Sequence, residues 1–272
     1  MGYDAIGIGD DDLSLGKGFL IELSKRSPIP FLSSNVMDKN SGKILFQRFV
    51  LKEWNGLRIG IFSLLSQDVF LGPDDPRKKG LSFRDPLETA RELVGELSLK
   101  VDLIILLSHQ GYPKDVELTH KIPGIHLIVG AHSGVHLTEP PVFKDTIILQ
   151  TSSKGMYGAR LDLNLINNKV SFYNITTKRA LEKNLNKLNL QLTSGKASNE
   201  ERERWQRVKE NTEKALRQLE GKNYFTNTFL PLNESFKDHP EIKKMVDEYK
   251  SKFPEKIEPS SYDRRGMDRP KF

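Results

Sequence analysis

Apolar residues in the first 177 positions fall in short runs that alternate with segments of helical spacing. Apolar and β-branched runs predict strands at 4–8, 30–36, 46–54, 57–64, 101–107, 125–129 and 146–149. Apolar residues at every third or fourth position predict helices at 15–25, 86–99 and 114–121. Strands and helices in alternation are typical of an α/β domain in which helices cover β-sheets. The segment 67–84 contains proline and glycine and predicts a long exposed loop.

Two segments near the end of this region have the pattern of a β-hairpin. Residues 160–166 and 169–176 each alternate apolar and polar side chains, and they flank Asn167-Asn168. Asparagine readily adopts the backbone conformation of tight hairpin turns. The pattern therefore predicts that these two strands pair with each other.

After residue 177 the apolar positions form narrow stripes with heptad-like spacing. Leucines recur every three or four residues over 181–192, and a second stripe runs from Trp205 to Leu219. A capping box at 198–201 precedes the second stripe. These features predict helices at 178–193 and 199–220, which pair as an antiparallel hairpin with Trp205 in the seam.

The chain therefore divides into three predicted regions. Residues 1–177 form the α/β domain. Residues 178–253 hold the helical hairpin and a third helix, which is predicted at 240–253 with its apolar residues on an inner face. Residues 254–272 show no periodicity and predict an extended or disordered tail.

Composition excludes several classes of protein. The 272 residues are 37% hydrophobic and 29% charged, and no apolar run approaches the roughly 20 residues that span a bilayer. The chain has no cysteine, which excludes disulfides, thiolate metal sites, iron–sulfur clusters and haem attached to this chain. The net charge of +6 arises after residue 177, where charges of both signs alternate along the helical segments. This alternation favours a solvated helical surface over a nucleic-acid interface.

Three potential metal ligands share one structural context. Asp10, His109 and His132 each follow a predicted buried strand, at the carboxyl end where open α/β sheets place their functional sites. Carboxylate and imidazole donors suit zinc, manganese or iron better than calcium or magnesium. The positions predict one divalent metal ion, with the three ligand atoms within roughly 5 Å of one another. The alternative for each histidine is a hydrogen-bonded side chain at the end of a strand.

Other polar residues near these positions leave alternatives open. The run Asp10-Asp11-Asp12 suits a hard cation such as calcium or magnesium, or it forms a turn in which Asp12 or Ser14 caps the following helix. His136 becomes a further ligand if its loop shifts. The remaining histidines are predicted to be surface or capping residues; they are His120, His126 and His239.

Five segments, taken in order, resemble the metallophosphatase domain of the 5′-nucleotidase family, a group of calcineurin-like metallophosphoesterases. They are GDDDLSLG at 9–16, LSSNV at 32–36, DLIILLSHQG at 102–111, PGIHLIVGAHSG at 123–134 and IILQTSSKGMYGARLDL at 147–163. The resemblance implies two stacked β-sheets flanked by helices, a four-layer α/β sandwich, here followed by a C-terminal helical arm. It also implies a two-metal site that hydrolyses phosphate esters, with the metals generating the attacking hydroxide.

The resemblance carries over to individual residues only in part. His109 matches the family's lone ligating His, His132 matches the first His of Gly-His-x-His, and Asp10 stands at the ligating Asn of Gly-Asn-His-Glu. Asp11 stands where the family has its catalytic His, and Gly134 stands where it has the second His of Gly-His-x-His. The family's Asp-x-His and Gly-Asp segments lie upstream of the first block. The given sequence is therefore expected to be truncated at its N-terminus. Half of a binuclear site is retained, and no catalytic or substrate-binding residue is assigned.

Two functions follow from this resemblance. One is a non-catalytic or weakly active binding or structural module. The other is a metal-dependent phosphoester hydrolase whose missing ligands lie upstream of the given start. The chain is also similar, more weakly, to bacterial envelope members that precede a multihaem cytochrome module. That similarity implies a periplasmic location, with the signal peptide missing from the given start; without such a peptide the location would be cytoplasmic. It also implies that the helical arm binds a protein partner in a cytochrome-containing envelope complex.

Overall fold

The computed structural model describes residues 2–167, 169–194, 198–233 and 235–253; the tail predicted at 254–272 lies outside them. The strands are β1 (Ile6–Gly7), β2 (Phe31–Leu32), β3 (Val36–Asp38), β4 (Phe49–Trp54), β5 (Leu57–Leu65), β6 (Leu81–Phe83), β7 (Leu103–His109), β8 (Leu127–Gly130), β9 (Val142–Phe143), β10 (Thr146–Leu149), β11 (Tyr157–Asn164), β12 (Phe172–Asn174) and β13 (Asn223–Pro231). The α-helices are α1 (Gly16–Arg26), α2 (Pro86–Leu97), α3 (Tyr112–Lys121), α4 (Ile175–Thr193), α5 (Asn199–Leu219) and α6 (Pro240–Lys252).

Within the described residues, the largest sheet has the strand order β4-β5-β7-β8-β10-β9. Its four central strands are parallel, and β4 and β9 are antiparallel edge strands. The central strands are almost wholly apolar because both faces of a parallel sheet are covered. The runs predicted at 57–64, 101–107, 125–129 and 146–149 are confirmed as these four strands.

The two faces of this sheet pack against different partners. Leu64 and Leu106 face the helices α2 and α3, where Leu93 is fully buried. Neighbouring positions such as Leu103 point to the opposite face and pack against Phe225 of a second sheet. This alternation follows from the two-residue period of a β-strand. The prediction of an α/β fold with packed sheets flanked by helices is confirmed.

The second sheet corrects the hairpin predicted around Asn167. β11 pairs antiparallel with β13, and β12 pairs parallel with the other side of β13. The two predicted partners are therefore separated by β13, a strand that was not predicted. The fully buried side chain of Asn223 holds the connecting turn, because its Oδ1 accepts the backbone N–H groups of Ile166 and Asn167 at 2.7 and 2.9 Å. The prediction was wrong because the local pattern carries no information about a partner about sixty residues away.

The helices α4 and α5 connect β12 to β13 and pack against each other. Asn174 caps α4 by accepting from the N–H of Thr176. The predicted capping box of α5 is present, with Ser198 and Glu201 each accepting the other's backbone N–H. Trp205 is half-buried. Along the chain, both helices therefore connect two neighbouring strands of one sheet.

A smaller layer carries the beginning of the chain. β1 pairs parallel with β2, and β3 pairs antiparallel with β6. Ile8, Leu13 and Leu20 pack with Phe31 and Leu65 in a third apolar cluster. The aspartate run lies in the segment that follows β1. This cluster holds that segment against the end of β5.

Two compact units are present, the first ending at Pro231 and the second beginning at Leu232. In the second unit, α6 exposes its apolar residues, with Met245 66% and Tyr249 64% accessible. No helix among the described residues combines the length and the apolar character that crossing a bilayer requires. The domain boundaries at 177 and 253 stay predictions.

Candidate metal centre

Asp10, His109 and His132 meet at one end of the main sheet. Asp10 follows β1, His109 is the last residue of β7, and His132 lies two residues beyond β8. One ligand atom from each lies within 4.8 Å of the others. The predicted proximity of these side chains is confirmed, and it arises because β7 and β8 are parallel neighbours while β1 packs against β7.

Asp10 is held from both sides. Its side chain is nearly buried, its Oδ1 lies 2.8 Å from Nε2 of His109, and its Oδ2 accepts from Nη1 of Arg77 at 2.7 Å. The carboxylate therefore has a fixed orientation towards His109. No sequence pattern indicates Arg77, which lies in the segment predicted to be an exposed loop.

The two imidazole rings are positioned by backbone geometry. A Cβ atom at Gly9 would lie 2.8 Å from Cε1 of His109, so the ring packs directly against glycine backbone. The ring centroids of His109 and His132 are 5.2 Å apart in an edge-to-face arrangement. His132 is exposed and adopts a left-handed backbone with φ of 69°. A strained residue of this kind is common at ligand sites.

Arg77 joins three carboxylates. Its Nε and Nη2 atoms donate to Asp75 at 3.0 and 2.7 Å, and Nη1 donates both to Asp10 and to Asp11 at 2.7 Å. Hydrogen bonding to the guanidinium holds the pKa of Asp75 well below its usual range. The guanidinium carbon lies 5.4 Å from the ring centroid of Phe70. Arg77 is thus a fixed cation beside the three-donor cluster.

The other polar residues singled out in the sequence have different roles. The Oδ2 atom of Asp12 accepts from the backbone N–H of Gly9 at 2.7 Å, and Leu15 is the N-cap of α1 with no side-chain bond. The prediction that Asp12 or Ser14 caps this helix was therefore wrong. His136 packs against Tyr157, with a centroid distance of 4.4 Å, and lies outside the three-donor cluster.

The three remaining histidines can be compared with their prediction. His120 is exposed and meets Phe143 edge-on. His126 is half-buried, and its Nδ1 accepts the backbone N–H of Ile104 at 2.9 Å. Burial lowers the pKa of His126. The prediction of a surface or capping residue was wrong for His126, because its strand position turns the ring onto the neighbouring strand β7. The side chain of His239 makes no capping bond at the start of α6.

A buried carboxyl group lies behind the centre. Asp115 of α3 is fully buried, and its Oδ1 accepts from Oγ of Ser108, the residue before His109, at 2.5 Å. Its Oδ2 has no hydrogen-bond partner among the residues that the structure describes. Burial raises the pKa of Asp115 to about 7. The sequence offered little to reveal this residue, since an aspartate in the first turn of a helix is ordinarily solvent-exposed.

Comparison with known proteins places this centre in context. The chain is 28% identical over 208 residues to a 5′-nucleotidase of Vibrio cholerae, covering 64% of this chain and 38% of that protein. It is 29% identical over 147 residues to Protein UshA of Salmonella pullorum, covering 49% of this chain and 27% of that protein. The homologues of this chain are 5′-nucleotidases. No model of a protein family matches the sequence.

A solved structure supports the same relationship. The 5′-nucleotidase precursor from Thermus thermophilus superimposes with a TM-score of 0.54 at 28% identity, over 62% of this chain and 37% of that chain. The chain thus spans less than two-fifths of the length of these relatives. The mixed α/β fold with its sheets flanked by helices matches this metallophosphoesterase-like neighbour.

The donor set fits a divalent metal ion. One carboxylate and two imidazoles are ligands that zinc, manganese and iron accept, and three protein ligands leave positions for water or a substrate. His109 and Asp10 already face each other across 2.8 Å, so the ion would replace their mutual hydrogen bond. Gly134, two residues after His132, has φ of 63° and offers no side-chain donor.

Proposed function

We propose that this 5′-nucleotidase-like chain binds one divalent metal ion through Asp10, His109 and His132, and that it hydrolyses phosphate esters weakly or not at all. The observation that supports the proposal is the convergence of the three ligand atoms within 4.8 Å. The chain would then be a binding or structural module built on a phosphoesterase fold.

The charges around the centre support weak catalysis. When bound, a divalent ion polarises phosphate oxygens and acidifies a bound water molecule. Asp11, Asp12 and Asp75 surround the centre, and Arg77 is the cation that pairs with two of them. The carboxylate of Asp11 is almost fully exposed and stands where the resemblance expects a catalytic histidine. A negative group at this position repels a phosphate dianion.

Metal content is the first test of this proposal. We expect about one equivalent of zinc, manganese or iron in the purified chain by elemental analysis, and its loss in His109→Ala. His120→Ala is the matched control, because His120 is exposed and lies outside the cluster. A wild-type protein that carries no metal, even after incubation with Zn²⁺ or Mn²⁺, would contradict the proposal.

Hydrolysis is the second test. We expect turnover of AMP and of p-nitrophenyl phosphate, with added Mn²⁺ or Zn²⁺, below about 1 per second, the lower end of the usual range for enzymes. Turnover within that range, abolished by His109→Ala, would show instead that the residues present suffice for catalysis.

A second candidate function rests on the length of the relatives. Because the chain covers 38% of the Vibrio cholerae enzyme, a longer protein could supply further ligands. The alternative is then a metal-dependent phosphoester hydrolase. The gene sequence immediately upstream of Met1 distinguishes the two, since in-frame Asp-x-His and Gly-Asp segments would favour the hydrolase.

We further propose a location in the bacterial cell envelope, with a protein partner at α4 and α5. The support is the resemblance to envelope phosphoesterases, together with the mixed charge exposed on these two helices. Fractionation of the source cells tests the location. Co-purification of a cytochrome-containing complex with the chain tests the partner, and recovery of the chain in the cytoplasmic fraction would contradict both.

A further inference from the structure

Both carboxylate oxygens of Asp10 are already engaged. Oδ1 meets Nε2 of His109 at 2.8 Å, on the side where the metal would bind, and Oδ2 accepts from Arg77 at 2.7 Å. The bond to His109 is one that the metal replaces. The bond to Arg77 places a positive charge on the one anionic ligand of the cluster.

The position of Arg77 is fixed by groups other than Asp10. Its side chain is only 16% exposed, and Asp75, whose side chain is 2% exposed, receives both Nε and Nη2. Asp75 also accepts the backbone N–H groups of Leu71 and Arg77. The guanidinium is therefore held beside Asp10 by its own loop, in a forked pair of the strong bidentate kind.

We infer that Arg77 competes with the metal for Asp10 and thereby lowers the metal affinity of the cluster; the inference rests on the proposed function. A guanidinium bonded to a ligating carboxylate reduces the negative charge available to the ion and repels it directly. The ion would meet Asp10 at Oδ1, the oxygen that faces His109, and its charge would push Nη1 away from Oδ2, while Nε and Nη2 keep Asp75. Without Arg77, the carboxylates of Asp10 and Asp11 would both act on the ion uncompensated.

If Arg77 instead orients Asp10 for the metal, its loss would decrease the metal affinity. A residue that merely orients a ligand increases metal affinity, and its loss typically costs 10–100-fold. A competing cation decreases metal affinity, so its loss increases it. The sign of the change on removing Arg77 therefore separates competition from orientation.

Calorimetric titration of the full chain with Zn²⁺, and separately with Mn²⁺, tests the inference. We expect Arg77→Gln to bind each ion at least tenfold more tightly than wild type. Arg58→Gln is the matched control, because Arg58 forms a forked pair with Asp102 at 2.7 and 3.1 Å, at the opposite end of β7. The control should bind with the affinity of wild type.

The outcomes separate the inference from the proposed function. Equal or weaker binding by Arg77→Gln overturns the inference and leaves the metal site standing. Absence of binding in wild type and variant alike overturns the proposed function and the inference with it. Binding by the variant alone supports the inference and contradicts the proposal that the wild-type chain binds the ion.

A measurement on the wild-type chain avoids any effect of the substitution on folding. In crystals saturated with Zn²⁺, we expect the distance from Nη1 of Arg77 to Oδ2 of Asp10 to increase from 2.7 Å to beyond hydrogen-bonding range, with the Asp75 pair intact. An Arg77–Asp10 bond that persists with zinc on Asp10 would overturn the inference.

Discussion

At the scale of single residues, Asp115 has a buried carboxyl group that gives the fold a pH dependence. Its pKa is about 7 in the folded protein because burial disfavours the charged form. In the unfolded chain the group ionises near pH 4, so the folded state holds a proton that the unfolded state has lost between pH 4 and 7. The free energy of unfolding therefore decreases as pH rises through this window, and it stays lower above pH 7.

Replacing the carboxyl group should remove this dependence. The free energy of unfolding of Asp115→Asn, taken relative to that of wild type, should increase by about 3 kcal/mol from pH 5 to pH 8. Urea denaturation of both proteins across this range measures the difference. The half-buried His126 contributes a slope of opposite sign in both proteins, so it cancels in the comparison.

An exposed aspartate provides the control for this experiment. Asp145 also accepts a hydrogen bond from a serine, Ser171, at 2.6 Å, but it lies on the surface. Asp145→Asn should keep the decrease in stability that Asp115 causes, and only the contribution of His126, whose pKa Asp145 raises, should change. A constant difference between Asp115→Asn and wild type across the range would show that Asp115 is ionised in the folded protein.

The residues of the candidate centre were predictable only where they end a strand. Asp10, His109 and His132 each follow an apolar run, and the carboxyl ends of neighbouring parallel strands necessarily lie together. Arg77 belongs to a loop, whose path no periodic pattern describes. Asp115 has the sequence context of an exposed residue in a first helical turn, and only the packing of α3 on the main sheet buries it.

At the scale of secondary-structure elements, Asn223 joins β13 to the turn after β11. Its Oδ1 accepts two backbone N–H groups, and its Nδ2 donates to the carbonyls of Asn167 and Lys169. Asn223→Ala leaves these groups without partners in a buried place. We expect a loss of about 2–4 kcal/mol in the free energy of unfolding, measured by urea denaturation.

A second asparagine on the same strand is the matched control. Within the described part of the chain, Asn227 makes one side-chain hydrogen bond, to the carbonyl of Thr138, and its Oδ1 is buried without a partner. Asn227→Ala therefore loses one hydrogen bond, which destabilises the fold, and removes one unsatisfied buried oxygen, which stabilises it. We expect a change below about 1 kcal/mol. Equal effects of the two substitutions would contradict the special role of Asn223.

Among the elements, the central parallel strands and the helices were predicted within a few residues, because burial on one or two faces imposes a regular spacing. β13 was missed, although Tyr224, Phe225, Thr226 and Phe229 have the aromatic and β-branched character of a strand. The pairing of β11 was predicted incorrectly for a different reason. A local pattern predicts that a strand exists, while its partner depends on the packing of the whole sheet.

At the scale of the whole molecule, β13 makes residues after 177 part of the first compact unit. Removing 178–253 would take away Phe225 and uncover Leu103 and Leu127 of the main sheet. We expect this variant to aggregate, as measured by light scattering. A chain that ends after Pro231 should stay monodisperse and keep the melting temperature of its first unit, because that unit is compact by itself.

The comparison of the two truncations separates the helices from the strand. If the variant without 178–253 stays folded and soluble, β13 is not part of the core of the first unit. If the chain ending after Pro231 aggregates, the second unit protects the first.

The insertion of α4 and α5 between paired strands also affects the order of folding. β11 leaves the ribosome long before β13, and the two strands must close a loop of about sixty residues. Closing a flexible loop of this size costs conformational entropy, and contacts distant in sequence slow folding. Two helices that associate early shorten the effective loop and bring its ends together. Helix-breaking substitutions in α4 or α5 should therefore slow refolding more than they accelerate unfolding, and during synthesis they would prolong the time for which β11 has an unpaired edge.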